Sequence, residues 1–144
     1  RYEIDADYWE PLPPLPTNVR VHSLLMDDSS QKLYSLGGHD SQTKLDIIQE
    51  FCLDRLVWRT LELKLPYASY EIACFKFGSE FYFVQMKELF LLDLNGNRVS
   101  FIKTLSEQVV NMLGPGHYSA GVLYASCDAG PVKTLQIGSL SSCE

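Results

Sequence analysis

Histidines, cysteines and acidic pairs are the residues of this sequence that could carry chemistry. None of the three histidines, His22, His39 and His117, lies at HxH or HxxxH spacing from another, so no local zinc motif is present. His39 is followed by Asp40, which could orient it as a base, but a nucleophile would have to come from elsewhere in the chain. The sequence therefore indicates no catalytic residue, no metal site and no cofactor.

The sequence GGHD, which begins at Gly37, could belong to a phosphate-binding loop. It lacks the GxGxxG pattern and the Lys-Ser/Thr pair that such loops use, and no helix is predicted after it. Glycine also allows positive φ angles and close approach of two backbones. We therefore expect Gly37 and Gly38 to serve packing and turning rather than ligand binding.

Composition restricts the class of protein. The chain has 144 residues, of which 46% are hydrophobic and 21% charged, so it can build a core within one domain. The net charge is −6 with no cluster of Lys or Arg, which disfavours binding to nucleic acid or to an anionic membrane. No apolar run reaches the ~18 residues of a membrane span, and no signal peptide is recognisable.

The four cysteines are widely spaced and show no CxxC pattern. Cys52 and Cys74 lie in apolar runs, where a free thiol behaves as a small hydrophobic group. Reduced thiols are typical of intracellular proteins. We therefore expect free cysteines and a cytoplasmic protein.

Turn signals between apolar runs predict an all-β chain of antiparallel hairpins. The signals are residues rich in Gly, Asn, Asp or Ser, and Asn-Gly in particular tolerates the positive φ angles of a tight turn. The predicted hairpins cover residues 20–36, 70–86, 88–105 and 121–140, which turn at DDSS, Gly78-Ser79, Asn95-Gly96 and DAGP. Residues 106–113 are either a helix or a connecting loop, which residues 114–116 would end.

The hairpins recur with a period near 50 residues. Trp9 and Trp58 each follow an aspartate, Asp5 or Asp54, by four residues. Other matching positions are Pro16 with Pro66 and Tyr34 with Tyr82, and a weaker third copy supplies Asp93, Phe101 and Tyr124. Such a period is typical of repeat architectures, including the blades of β-propellers.

The repeat resembles the kelch repeat. The residues that carry the resemblance are the sequence LYSLGG that ends at Gly38, Asp54 with Trp58, and the sequence LKLP that ends at Pro66. It implies antiparallel four-stranded blades, with approximate repeats 1–58, 59–105 and 106–144. Since propellers close with typically four to eight blades, we expect an incomplete ring, completed by further blades from the same or another chain.

The resemblance also suggests a function. Repeated Trp and Tyr side chains would pack between blades, and the aspartates would bond to the backbone of turns. Partners of kelch propellers usually dock at one rim, which by position would include Arg20, Tyr70, His117 and Tyr118. The sequence thus predicts a non-catalytic protein–protein interaction or scaffolding module. The alternatives are the substrate-recognition part of a ubiquitin-ligase adaptor, or an enzyme such as an oxidase or glycan-processing domain on a propeller frame.

Overall fold

The computed structural model of the protein describes residues 1–106, 112–127 and 132–140. Over these ranges the chain forms strands and turns and contains no helix, which confirms the all-β prediction. Its strands are β1 (Tyr2–Glu3), β2 (Tyr8–Trp9), β3 (Ser23–Asp27), β4 (Lys32–Leu36), β5 (Ile47–Cys52), β6 (Val57–Lys64), β7 (Ile72–Phe77), β8 (Glu80–Gln85), β9 (Glu88–Asp93), β10 (Arg98–Thr104), β11 (Met112–Ser119), β12 (Val122–Cys127) and β13 (Lys133–Gln136).

The first sheet is an antiparallel meander in the order β3-β4-β5-β6. Asp27 lies opposite Lys32, so β3 turns into β4 at residues 28–31, as predicted from the DDSS sequence. The Asp27 carboxylate accepts a hydrogen bond from Ser29 Oγ at 2.7 Å, which stabilises the turn. The sheet extends over residues 23–64, so the repeat boundary expected at residue 58 lies within β6.

The second sheet contains an equivalent meander in the order β7-β8-β9-β10. Phe77 lies opposite Glu80, which confirms the hairpin that turns at Gly78-Ser79. The meander ends at Thr104, next to the repeat boundary expected at residue 105. The two meanders thus share strand order and direction, as a structural repeat requires.

The hairpin between β9 and β10 is confirmed, but its turn differs from the one expected. Asn95 and Gly96 lie in a four-residue loop between Asp93 and Arg98, and the positive φ falls on Asn97, at 51°. A Cβ on Gly96 would lie 2.2 Å from Asp93 Oδ2, so a side chain there would displace the Asp93 carboxylate. The Asp93 carboxylate accepts the Gly96 N–H at 2.8 Å, which confirms the turn-bonding role predicted for Asp93.

A third meander, β11-β12-β13, joins the second sheet through a parallel pairing. Gly114 lies opposite Ala73, and Pro115 opposite Cys74. Elsewhere in the described ranges, neighbouring strands run antiparallel. The first strands of the three meanders, β3, β7 and β11, contact one another in all three combinations. The three meanders therefore converge along their first strands.

The predictions for the third repeat are only partly correct. Residues 114–116 lie inside β11, so the element end expected there is wrong. The possible helix over 106–113 overlaps residues 107–111, which lie outside the described ranges, and β11 begins at Met112. β12 and β13 are antiparallel, as predicted, whereas their DAGP turn is not described.

Both faces of the second sheet are buried. Side chains alternate between the two faces of a strand, so consecutive residues enter different clusters. The residues of this sheet that are buried against the first sheet are Ile72, Cys74, Phe81, Phe83, Phe90 and Leu92. Those buried against the third meander are Ala73, Phe75, Tyr82, Val84 and Leu89. Each fully buried Phe or Leu contributes roughly 1.5–3 kcal/mol, so these two clusters hold the three meanders together.

The repeated aromatic residues differ in their surroundings. Tyr34 is 3% exposed, and its ring lies 6.4 Å from that of Phe81, so it packs between the first and second sheets. The prediction that the repeated Trp side chains pack between blades is wrong for Trp9, which is 77% exposed. Trp58 instead packs against Phe51 of its own sheet, with the two rings tilted and their centroids 4.9 Å apart. Trp9 and Trp58, which occupy the same repeat position, are therefore buried to different extents.

Cys52 and Cys74 are buried and free, as expected. Burial raises the pKa of the Cys74 thiol to about 12, so this group is neutral and behaves as a core residue. Among the described residues there is no helix of the length and apolar character that crossing a bilayer requires.

Candidate functional site

Arg20 and Tyr70, two of the residues predicted to bind a partner, are connected through His39. The backbones of Arg20 and His39 exchange two hydrogen bonds, each with an N–O distance of 3.1 Å. The His39 ring lies 5.7 Å from the Tyr70 ring, and Lys44 Nζ lies 4.7 Å from the centre of the same ring. We name Arg20, His39, Lys44 and Tyr70 the Tyr70 cluster.

Gly37 and Gly38 position the loops that carry this cluster. Their φ angles are 61° and 96°, in the left-handed region that glycine tolerates. Gly38 N donates to Ser69 O, and its carbonyl accepts from Leu45 N, both at 2.9 Å. A Cβ on Gly37 would lie 2.3 Å from Ser69 O. The glycines thus bring three loops together, which confirms the packing and turning role predicted for them.

The Asp40 side chain forms its hydrogen bonds within its own loop. Its carboxylate accepts the backbone N–H groups of Thr43 at 2.9 Å and Gln42 at 3.0 Å. These bonds, the one from Thr43 first, lower the pKa of Asp40. The carboxylate therefore caps a turn, and this arrangement gives no support to the hypothesis that it orients His39 as a base.

The backbone beside the cluster is strained. Val21 has a φ of 55°, a conformation that is a genuine outlier for a β-branched residue. The next side chain, His22, has an Nδ1 atom that finds no hydrogen-bond partner among the described residues. Burial lowers the pKa of His22, so the imidazole is neutral at pH 7. Strain held beside an exposed surface is typical of functional loops.

His117 and Tyr118 lie at a different place in the molecule. Tyr118 packs on the second sheet, with its ring 5.5 Å from Phe75 and 5.0 Å from Phe77. Its hydroxyl donates to Gly138 O at 2.9 Å, which ties β11 to the residues after β13. His117 is exposed on the same strand. The four predicted residues therefore form two groups instead of one rim.

The strand register explains this separation. Gly114 lies opposite Ala73, so Tyr118 is level with Phe77, at the end of β7. Tyr70 precedes the start of β7, and a six-residue strand is about 20 Å long at 3.3 Å per residue. Residues 114–116, which were expected to end a helix or a connecting loop, instead lie within β11.

A cleft that no sequence motif indicated lies between the first and second sheets. Two adjoining cavities of about 590 and 560 Å³ share Lys32, Tyr34, Leu94 and Asn95 in their walls. The larger one is also lined by the acidic residues Asp27, Glu80 and Asp93 and by Arg98. The cleft lies beside three hairpin turns. Hairpin turns at the same end of neighbouring meanders are the sequence signal that could have located it.

Glu50 lines the smaller of these two cavities. Its side chain is 4% exposed, yet it receives Arg59 Nε at 2.7 Å and Lys32 Nζ at 3.2 Å. Burial alone would raise the pKa of Glu50, but the bonds from Arg59 and Lys32 outweigh it and hold the pKa below its ordinary value. Burial, with the nearby Glu50 charge, raises the pKa of the Tyr34 hydroxyl. The cleft thus has a polar lining in which Glu50 is paired with Arg59 and Lys32.

Neither surface has the composition of a metal centre. Within the three ranges that the structure describes, no group of three or more His, Cys, Asp or Glu side chains could hold a metal ion. Comparison with protein-family models gave no match, and comparison with curated proteins gave none either.

Proposed function

We propose that the chain is a protein–protein interaction or scaffolding module built from kelch-like propeller blades, with the Tyr70 cluster as its principal contact surface. The observation that carries this proposal is the second meander, a four-stranded sheet buried on both faces by its two neighbours. A propeller blade has the same arrangement, since it cannot bury both faces alone. The convergence of the three first strands also supports it.

The chemistry of the Tyr70 cluster supports a role in binding. Arg20 and Lys44 are exposed, and Tyr70 is half-buried between His39 and Lys44. Arg and Tyr are enriched among the residues that dominate binding energies. The loops that carry them are fixed by backbone hydrogen bonds through Gly38, so little entropy is lost on binding.

Charge makes a modest contribution to this interaction. Asp40 lies within the same loops as Arg20 and Lys44 and partly balances their charge. The whole chain has a net charge of −6, which favours partners that are neutral or basic overall. Affinity would then come mainly from the shape of the cluster and the faces of its aromatic rings.

Affinity capture with the full chain tests the proposal. Proteins retained by the wild type are identified, and their dissociation constants are measured with Arg20→Ala and Tyr70→Ala. We expect each variant to bind at least about tenfold more weakly, the effect of losing one dominant contact. Arg98→Ala is the matched control, because this exposed arginine lies outside the cluster. Equal binding by all four proteins would contradict the proposed surface.

A further inference from the structure

The β1–β2 hairpin has the same construction as the β5–β6 hairpin of the first sheet. Tyr2 lies opposite Trp9, as Phe51 lies opposite Trp58. The two ring pairs have similar centroid distances, 5.2 and 4.9 Å. Each hairpin has a four-residue loop, and the last loop residue has a φ of 50° or 51°. β1 and β2 are therefore the counterparts of the third and fourth strands of a meander.

The two hairpins differ in what covers them. Phe51 is 0% exposed, whereas its counterpart Tyr2 is 42% exposed and Ile4 is 81% exposed. β5 is paired with β4 on its other edge, with Leu33 opposite Phe51. β1 pairs with β2 and with no further strand among the described residues. Isolated two-stranded hairpins are marginal in water, and among the described residues β1–β2 corresponds to an outer strand pair without an inner pair.

The outer face of the first sheet has an incompletely covered apolar position of its own. Leu33, on the face of this sheet that points away from the second sheet, is only partly buried. Its counterpart one repeat later is Phe81, which lies opposite Leu92 as Leu33 lies opposite Phe51. Phe81 is 7% exposed and packs against the preceding meander. The position of Leu33 therefore corresponds to a contact between meanders.

Leu24 strengthens this assignment. It is 36% exposed and alternates with Leu25, which is buried between the first and second sheets. Leu24 therefore lies on the same outer face as Leu33, where an additional pair of inner strands would cover both. One strand pair could thus complete the edge of β1 and bury this apolar face.

We propose that the edge of β1 and the outer face of the first sheet bind the inner strand pair of a further repeat unit in the same polypeptide. The chain itself shows the chemistry of such a pair. In the first sheet, Leu33 lies opposite Phe51 and Lys32 lies opposite Cys52. Because Tyr2 and Glu3 are the counterparts of Phe51 and Cys52, the bound strand would present an apolar residue to Tyr2 and a basic residue to Glu3. This inference depends on strand equivalence and not on the Tyr70 cluster.

The short connections between inner and outer strand pairs favour a repeat unit from the same polypeptide over one from a separate chain. In the first sheet, the inner and outer strand pairs are joined by residues 37–46, and in the second sheet by residues 86–87. Such short connections give effective concentrations in the millimolar range, which a weak edge contact needs. A separate chain would have to bind the same short edge without this advantage.

A fusion tests the proposal with the whole chain. A copy of residues 19–49 is placed directly before Arg1, because Arg1 is the counterpart of Glu50. The fusion also carries Trp58→Phe, so that Trp9 is the remaining tryptophan. We expect a blue shift of the Trp9 emission and at least about tenfold slower amide exchange at Tyr2 and Glu3, because stable strand pairing protects edge amides. A scrambled copy of residues 19–49 is the control.

Two further measurements keep the proposal falsifiable. Leu33→Asp in the original first sheet should reduce the effect of the fusion, and a free peptide of residues 19–49 should shift the Trp9 emission at high concentration. Unchanged Trp9 emission and amide exchange in the fusion would overturn the proposal. A concentration-dependent dimer of the unfused chain with a shielded Trp9 would also overturn it, since a second copy would then occupy the surface. Neither outcome bears on binding by Arg20 and Tyr70.

Discussion

Arg59 Nε donates a hydrogen bond to Glu50 Oε1 at 2.7 Å across β5 and β6, where the carboxylate is 4% exposed and the guanidinium 61% exposed. Lys32 approaches the other carboxylate oxygen at 3.2 Å. A buried carboxylate is costly unless it is paired, and here both oxygens are. The pairing explains how a glutamate is accommodated in the interior of the first sheet.

Removing one partner of this carboxylate should destabilise the fold. Arg59→Ala should lower the free energy of unfolding by about 1–2 kcal/mol, less than for a fully buried pair, because Lys32 remains and the guanidinium is largely in solvent. Urea unfolding measures the change. Lys64→Ala is the control, since Lys64 and Asp46 form an exposed pair at 3.4 Å and its loss should change stability little. Equal costs would contradict the role of burial.

The pairing also predicts a pH dependence. The pKa of Glu50 is lower in the folded chain than its ordinary value, so the charged carboxylate stabilises the fold above about pH 4.3. This contribution is lost as the pH falls from there through the lower folded pKa. Glu50→Gln should therefore be less stable than the wild type at pH 7, and the difference should shrink below about pH 4.3.

Unfolding by urea between pH 3 and pH 7 measures this difference. Asp27 and Asp40 also have lowered pKa values, but both proteins retain them, so their contributions cancel in the comparison. A difference that stays constant or widens toward acid pH would show that Glu50 does not gain stability from its charge.

Local turn chemistry made the hairpins predictable from the sequence. Gly78-Ser79 and Asn95-Gly96 lie at the turns that they indicate, because a turn depends on the conformations of a few consecutive residues. Packing between sheets depends on distant residues and is not encoded in this way. Trp9 and Trp58 show the difference, since their local patterns match whereas their burial does not.

The candidate site was predictable only in part, for the same reason. The resemblance to kelch repeats selected Arg20 and Tyr70 by position, and the structure connects them through His39. Tyr118 was misgrouped because the parallel pairing of β11 with β7 shifts it to the far end of β7. A parallel pair of non-consecutive strands leaves no turn signal in the sequence.

Tyr118 should contribute mainly to stability. Tyr118→Phe removes the hydroxyl that donates to Gly138 O and should cost about 1 kcal/mol. Tyr118→Ala also removes the ring that packs on Phe75 and Phe77, and should cost about 3–4 kcal/mol. Thermal and urea unfolding distinguish the two variants. If Tyr118→Ala were as stable as the wild type, the side chain would instead be available for binding.

Gly37 should tolerate no side chain, for two separable reasons. Its φ of 61° strains any L-residue, and a Cβ would lie 2.3 Å from Ser69 O, a backbone atom that cannot move alone. Gly37→Ala should therefore cost about 2–4 kcal/mol. Gly121 is the matched control, because its φ of 85° is also left-handed but a Cβ there would meet its nearest neighbour at 3.5 Å.

Gly121→Ala should accordingly cost only the backbone strain, about 1–2 kcal/mol. The difference between the two variants, measured by urea unfolding, isolates the close approach of the loop at Ser69 to the diglycine. Gly37→Val should be more destabilising than Gly37→Ala. If instead it left the fold intact while abolishing binding of a partner that depends on Tyr70, the diglycine would be a contact surface rather than a packing device.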